Sequence, residues 1–324
     1  MIKDIPTPIR RAEPMNLRLF DDLESEIWAI GGGKGGVGKS FVISSLACSL
    51  AAQGRKVVLI DADFGGANLH TFLGLGKPSV SLSEFFEGQI SLTELTVETG
   101  VPNLELLAGT LRSLAPDSIK YTQKQKFFRH IKHLDADYVL IDLGGGTHFN
   151  ILDTFLLADK MLLVVVPELI SIENMYHFLK NVLFRKLTSS FNANGMKDEI
   201  REAWSKRTEH NITNLRELIE YLKGLSNSVE TVIDEALSDF NVHVVLNQIR
   251  GNQDIKIGHH LVSVCKKYFD LQAQFTGYIE YDSFVSRCIN DGKVYMQNQA
   301  TSNCANEITR LTENLTLNRK IRIR

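Results

Sequence analysis

The sequence lacks the features that would place it across a membrane, in a disulfide scaffold or in a highly charged complex. No apolar run approaches the roughly 18–20 residues needed to span a bilayer, and the longest, such as Met161 to Pro167, are strand-sized. There are only 4 cysteines in 324 residues: Cys48, Cys265, Cys288 and Cys304. None forms a C-x-x-C pair or a zinc-ligand spacing, so free thiols in a reducing, cytoplasmic setting are expected. Neither sign of charge dominates, with 36 Lys and Arg against 38 Asp and Glu. That balance argues against a protein wrapped in nucleic acid and leaves room only for a local basic patch. Proline is scarce, 7 in all, and Pro6, Pro8 and Pro14 all fall near the start. Residues 1–24 read as a flexible leader; no apolar stretch follows their charges, so secretion is not expected.

What is present is enough apolar residue, 44%, to bury a sizeable core. Short apolar runs predict strands at Ile27–Ile30, Val57–Ile60, Leu104–Leu107, Tyr138–Ile141, Leu162–Val166, Val242–Leu246 and Phe275–Ile279. Helical stretches separate most of them: Ser40–Gln53, Lys120–His133, Ser171–Leu187 and Gly258–Tyr268. Continuous apolar strands alternating with helices predict an α/β fold, a mostly parallel twisted sheet with helices on both faces. Residues 188–240 hold no strand candidate and predict two or three inserted helices. Leu215, Leu218, Ile219 and Leu222 form a stripe there, and Asn227 with Glu230 reads as a capping pair. This insertion is either an outer helical layer or a docking surface for a regulatory protein. One domain over 25–318 and a basic tail over 319–324 complete the organisation.

The segment with chemistry is Gly33-Lys34-Gly35-Gly36-Val37-Gly38-Lys39-Ser40, which fits G-x-x-x-x-G-K-S/T between a strand and a helix. Its four fixed positions would arise by accident in roughly one chain in a hundred of this length. The glycines let the backbone curl so that N–H groups converge on phosphate oxygens, and the following helix adds its positive end. Lys39 would charge-pair with the β- and γ-phosphates and Ser40 would meet Mg²⁺. Asp142 ends an apolar strand, so its carboxylate would emerge beside this loop and hold the metal. Asp61 and Asp63 follow another strand at i, i+2 spacing and share a side if that strand continues.

The sequence resembles the MinD/ParA ATPases with a deviant Walker A loop, and within them the MinD and FlhG/FleN branch. The resemblance runs over about residues 27–300, through Lys34–Ser40, Asp61–Leu69, Asp142–Gly146, Pro167-Glu168, Val245–Gln248 and Gly277–Asp282. It implies ATP and Mg²⁺ as cofactors, slow hydrolysis, and an ATP-dependent homodimer acting as a positional or assembly switch, as in division-site or flagellar-number control. Lys34 would reach phosphates held by the partner subunit, and Lys39 would serve catalysis in its own loop. Asp63 would position the attacking water, and Asp61 would lie near the metal with Ser40 and Asp142. Gly33, Lys34, Gly35, Gly36, Val37, Gly38, Lys39, Ser40 and Phe41 would line the phosphates. Gly145 and its neighbours would bring N–H groups near the γ-phosphate, while Asn247, Gln248 and Asp282 would meet the base.

Three positions depart from the family: Phe41 for a hydroxyl residue, Gly144-Gly145-Gly146 for Pro-Ala-Gly, and Glu280 for a frequent proline. A DNA-partition ATPase is the alternative; its candidate basic residues are Arg185-Lys186 and the 319–324 tail. Enzymes and electron carriers on the same fold fit less well, since no cysteine lies near Asp142–Gly146 to ligate a cluster. Ile308, Leu311 and Leu315 would put one apolar face on a terminal helix, and packing in the core is favoured over a peripheral contact with the inner membrane surface.

Overall fold

A computed structural model describes residues 25–33, 35–63, 66–109 and 121–321. The leader, Lys34 and the last three residues of the basic tail lie outside the described residues. The chain opens with β1 (Glu26–Gly31), α1 (Lys39–Ala52), β2 (Val57–Ala62), α2 (Leu69–Phe72), α3 (Leu82–Phe86), β3 (Thr96–Glu98) and β4 (Leu104–Leu107). It continues through α4 (Tyr121–Lys132), β5 (Tyr138–Leu143), α5 (Phe149–Phe155), β6 (Lys160–Val165) and α6 (Leu169–Ala193). Then come α7 (Lys197–Ser205), α8 (Leu215–Lys223), α9 (Asn227–Ser238), β7 (Val242–Ile249) and α10 (Asn252–Phe269). The last elements are β8 (Gln274–Glu280), α11 (Phe284–Asn290), α12 (Tyr295–Asn298) and α13 (Asn303–Thr316).

The eight strands form one sheet in the order β3-β4-β2-β5-β1-β6-β7-β8, parallel except for β3. The predicted parallel sheet is therefore present, with one antiparallel edge strand that the sequence reading did not include. Alternate residues of each strand feed two cores. Ile27, Ala29, Val58, Ile60, Val139 and Ile141 pack on the side of α4, α5, α6 and α10. Trp28, Ile30, Val57, Leu59 and Leu140 pack on the side of α1 and α13. Burial on both faces explains why these strands read as unbroken apolar runs rather than alternating ones.

The inserted region holds three helices, and α6 runs on into it as far as Ala193. Leu218 and Leu222 are fully buried, and Leu215 and Ile219 nearly so, with α8 packed on α9 and α10. The stripe therefore closes the fold's own outer layer and leaves a polar exterior. One detail differs from expectation: α9 is capped by Ser226, whose Oγ accepts the Val229 N–H at 3.3 Å, and not by Asn227, which is already helical.

Two surface expectations also meet packing. Ile308, Leu311 and Leu315 of α13 are buried against α1 and β8, so this apolar face belongs to the core and is not free to lie on a bilayer. Among the described residues, no helix is long and apolar enough to cross a membrane. Arg185, a candidate for gripping DNA, is 6% exposed. Its Nε and Nη2 donate to Asp153 at 2.8 and 3.1 Å, Lys124 donates to the same carboxylate, and the guanidinium lies over Phe149. A guanidinium spent on a buried pair cannot exchange counterions with a phosphate backbone.

Candidate nucleotide site

The site lies at the carboxyl ends of the central strands, where β1 runs into the glycine-rich loop. Small residues are enforced there by close approach. A Cβ on Gly31 would sit 2.7 Å from Phe178 and 2.8 Å from Phe155, and one on Gly33 would collide with the carbonyl of Asn174 in α6. Gly36 and Gly38 adopt φ of 90° and 87°, the left-handed region that glycine enters without strain. Gly38 is the residue before α1, and no side chain caps that helix and no acid occupies its first turn. The first N–H groups of α1 thus point out of the loop with the helix's positive end behind them, which is an anion seat.

Asn247, 1% exposed at the end of β7, fixes the loop from the other side. Its Nδ2 donates to the Val37 carbonyl at 2.8 Å, and a Cβ on Gly38 would strike that same nitrogen. Gln248, in the left-handed region at φ 58°, presents its amide to the same glycine. The two amides assigned from sequence to the base therefore stand together at the loop, and one of them holds loop backbone.

Lys39 is 7% exposed. Burial pulls its pKa down, while Asp142 and Asp63 act to raise it. Asp61 and Asp142 are register partners on adjacent strands, 2% and 1% exposed. Burial pushes Asp142 up to about 7, partly offset by the hydrogen bond from the Ser40 hydroxyl and by Lys39. Burial pushes Asp61 up to about 6, partly offset by the N–H groups of Leu69 and Asp63, which donate at 3.0 and 3.2 Å. Asp142 Oδ1 is buried with no hydrogen-bond partner. An orphaned carboxylate oxygen beside a hydroxyl fits a divalent cation. Among the described residues, no cluster of three or more His, Cys, Asp and Glu could hold a metal. Mg²⁺ here would therefore need phosphate oxygens to fill its shell, the habit of this ion in phosphate sites.

Asp63 accepts the Gly66 N–H at 3.1 Å, and a Cβ on Gly144 would lie 2.7 Å from its Oδ1. The segment after β2 and the glycine run after β5 thus meet at Asp63. Gly146 has φ 111°, and Gly145 before it is exposed. Phe41 turns its ring edge-on to Tyr295 at 5.3 Å, which leaves only its backbone N–H for an anion. The Tyr295 hydroxyl donates to Asp282 Oδ2 at 2.5 Å, and the Phe284 N–H donates to Oδ1 at 2.8 Å. Tyr295 and Asn174 were missed by sequence reasoning, because each acts through a contact distant in the chain. Glu280, in place of the frequent proline, uses the N–H that proline would lack: it donates to Glu307 Oε2 at 2.7 Å.

Comparison with known proteins places this geometry. The model for the CobQ/CobB/MinD/ParA nucleotide binding domain matches residues 28–295. Antiactivator FleN of Pseudomonas aeruginosa is 32% identical over 157 residues, 48% of this chain and 55% of FleN. Septum site-determining MinD of Synechocystis is 32% identical over 152 residues, 46% of this chain and 56% of its own. The chain thus spans about half the length of the curated relatives it matches. MinD of Pyrococcus horikoshii, complexed with Mg-ADP, superposes with a TM-score of 0.62 at 19% identity, covering 90% of this chain and 96% of that one. MinD of Aquifex aeolicus, in complex with MinC, gives 0.63 at 22% identity, covering 93% and 98%. The sheet order, the glycine loop and these matches together make the chain a member of the CobQ/CobB/MinD/ParA nucleotide-binding family.

Proposed function

We propose that this chain binds ATP with Mg²⁺, hydrolyses it slowly, and dimerises in the ATP state as a positional or assembly switch for a regulatory protein partner. The observation that carries the reading is Asp142: a buried carboxylate with one unpartnered oxygen, beside the Ser40 hydroxyl, at the mouth of a loop built for phosphate. In this reading Ser40 and Asp142 would hold Mg²⁺, Asp142 directly or through water, with Asp61 close by. The bound metal would offset phosphate charge and polarise the γ-phosphoryl oxygens. Gly33, Gly35, Gly36, Val37, Gly38, Phe41 and Gly145 supply backbone N–H groups, and Lys39 places a cation at the β- and γ-phosphates. Asp63, reached by both switch segments, orients the attacking water. Asn247, Gln248 and Asp282 line the base.

The loop already contains Lys39, so Lys34 is spare for a neighbouring subunit's phosphates, where it acts as an arginine finger does. The relatives' printed roles, septum-site determination and antiactivation, suggest the class of task, and the polar exterior of α7–α9 offers ground for a partner. The test is light scattering with equilibrium nucleotide binding. The wild type should bind ATP and double its mass with Mg·ATP but not with ADP. Lys34→Ala should keep ATP yet remain monomeric, and Lys39→Ala should bind little. Well-folded protein that takes up no nucleotide, or whose mass ignores ATP, rejects the reading.

A further inference from the structure

Tyr295 joins two parts of the site that lie far apart in the chain. It opens α12 and is buried. Its ring stands edge-on to Phe41, the residue after Ser40 in α1, and its hydroxyl donates to Asp282 Oδ2 in the loop after β8. Phe41 departs from the hydroxyl residue found in the family. Its side chain makes no polar contact with a phosphate and instead braces Tyr295 from the phosphate helix.

The tyrosine is held firmly in this place. A phenol has one proton, and here it goes to the carboxylate, so Ser302, 2.9 Å away, donates to the phenolic oxygen. Burial, and then the hydrogen bond to Asp282, push the Tyr295 pKa up, which keeps the hydroxyl a donor. The approach to α12 is fixed too. A Cβ on Gly74 would lie 2.5 Å from the Gly292 carbonyl oxygen, so the turn after α2 packs backbone to backbone on the turn before α12.

Asp282 is thereby gripped at both oxygens, by the Phe284 N–H at Oδ1 and by Tyr295 at Oδ2. A carboxylate has about four lone-pair sites, so each oxygen keeps one. The half-buried residue presents fixed acceptors and no donor. Adenine carries a donor at its 6-position, the exocyclic amino group, whereas guanine carries the acceptor O6 there.

We propose that Tyr295 is a positioning residue that locks Asp282 as the acceptor for the 6-amino group of adenine and so sets a preference for ATP over GTP. This rests on the base contact of Asp282 proposed above and names the residue on which its selectivity depends. Without the phenolic hydroxyl the carboxylate is held at one oxygen only and turns about its last bond. Ordering it against the amino group then weakens binding. Contacts to the triphosphate, made by the glycine loop, are left as they were.

The test is calorimetric binding of ATP, GTP and purine riboside triphosphate, which lacks only the 6-amino group. The proteins are wild type, Tyr295→Phe, Asp282→Ala and the double variant, each checked for folding by thermal denaturation. Phe keeps the ring against Phe41 and removes one hydroxyl, so the fold is not at stake. Wild type should bind ATP at least tenfold more tightly than the analogue. Tyr295→Phe should weaken ATP roughly five- to tenfold, narrow the preference over GTP accordingly, and leave the analogue within about twofold. In the Asp282→Ala background it should change ATP affinity no further. Equal weakening of ATP and the analogue, or no weakening of ATP, overturns the role of Tyr295 and leaves the base contact standing. A wild type that binds ATP and the analogue alike overturns both.

Discussion

Asp61 of β2 and Asp142 of β5 are register partners on adjacent strands in the middle of the sheet, and the Lys39 charge acts on Asp142 to lower its pKa. Both are raised by burial, to about 6 and about 7. A carboxyl whose pKa is higher folded than unfolded destabilises the fold above its folded pKa, and that cost fades as the pH drops through it. The nucleotide-free protein should therefore gain stability as the pH is lowered from about 7 toward about 4, first from Asp142 and below about 6 from Asp61 as well. Asp142→Asn should raise the nucleotide-free Tm at pH 7.5 by several degrees and abolish the further rise given by Mg·ATP. Thermal denaturation of both proteins, with and without Mg·ATP, checks the pair of signs. A variant less stable than wild type without ligand would mean that the charged Asp142 supports the fold.

The proposed site lies where the fold buries two carboxyls beside a glycine loop, and that shaped what the sequence could disclose. The strands were legible because Val57–Ile60 or Tyr138–Ile141 is buried on both faces and so apolar throughout. The edge strand β3 was not: three residues, Thr96, Val97 and Glu98, none of them fully buried, carry no pattern. The phosphate loop was legible because its chemistry is local backbone, fixed by glycines and one lysine in a row. The Phe41–Tyr295 and Gly33–Asn174 contacts were not, since they join residues far apart in the chain and depend on how α6 and α12 dock. At α9 the sequence Ser226-Asn227 offered two capping residues in a row, and only geometry decides which reaches Val229.

Gly144 tests the meeting of the two switch segments. A methyl group there would lie 2.7 Å from Asp63 Oδ1, so Gly144→Ala must displace that carboxylate. If Asp63 orients water, nucleotide binding should hold within about threefold while turnover falls at least tenfold, the signature of an interaction needed only in the transition state. Phosphate release under saturating ATP, beside equilibrium binding, separates the two quantities. Equal loss of both would place Asp63 in binding instead.

Asn247 has two roles to distinguish, one held in the structure and one proposed. Its Nδ2 bond to the Val37 carbonyl is worth about 1 kcal/mol, with more lost because the carbonyl is left buried and unpaired in Asn247→Ala. Acting through the loop, the variant should weaken ATP, GTP and inorganic triphosphate alike, by roughly five- to fiftyfold. Acting through the base, it should weaken ATP and spare triphosphate. Competition titrations with the three ligands decide, and the loop geometry predicts the uniform loss.

His243 works against the two carboxyls as the pH falls. It is fully buried on β7, with Nδ1 2.8 Å from the Thr276 hydroxyl and Nε2 without a partner. Burial, with Lys160 nearby, pulls its pKa down to about 4. The unfolded chain thus takes up this proton before the folded one does, so stability is intact above the unfolded value of about 6.5 and drains away as the pH falls toward 4, by on the order of 3 kcal/mol. This offsets part of the gain from Asp61 and Asp142, which between about pH 6 and 4 together favour two extra protons in the folded state against the one that His243 forgoes, so over that interval the Tm should rise less steeply than the carboxyls alone would make it. His243→Asn keeps a polar atom near Thr276 but cannot take up a proton. Its Tm should be lower than wild type at pH 7, from the lost ring volume, yet should rise more between pH 6 and pH 4.5. Parallel slopes for the two proteins over that interval would show that His243 carries no such offset.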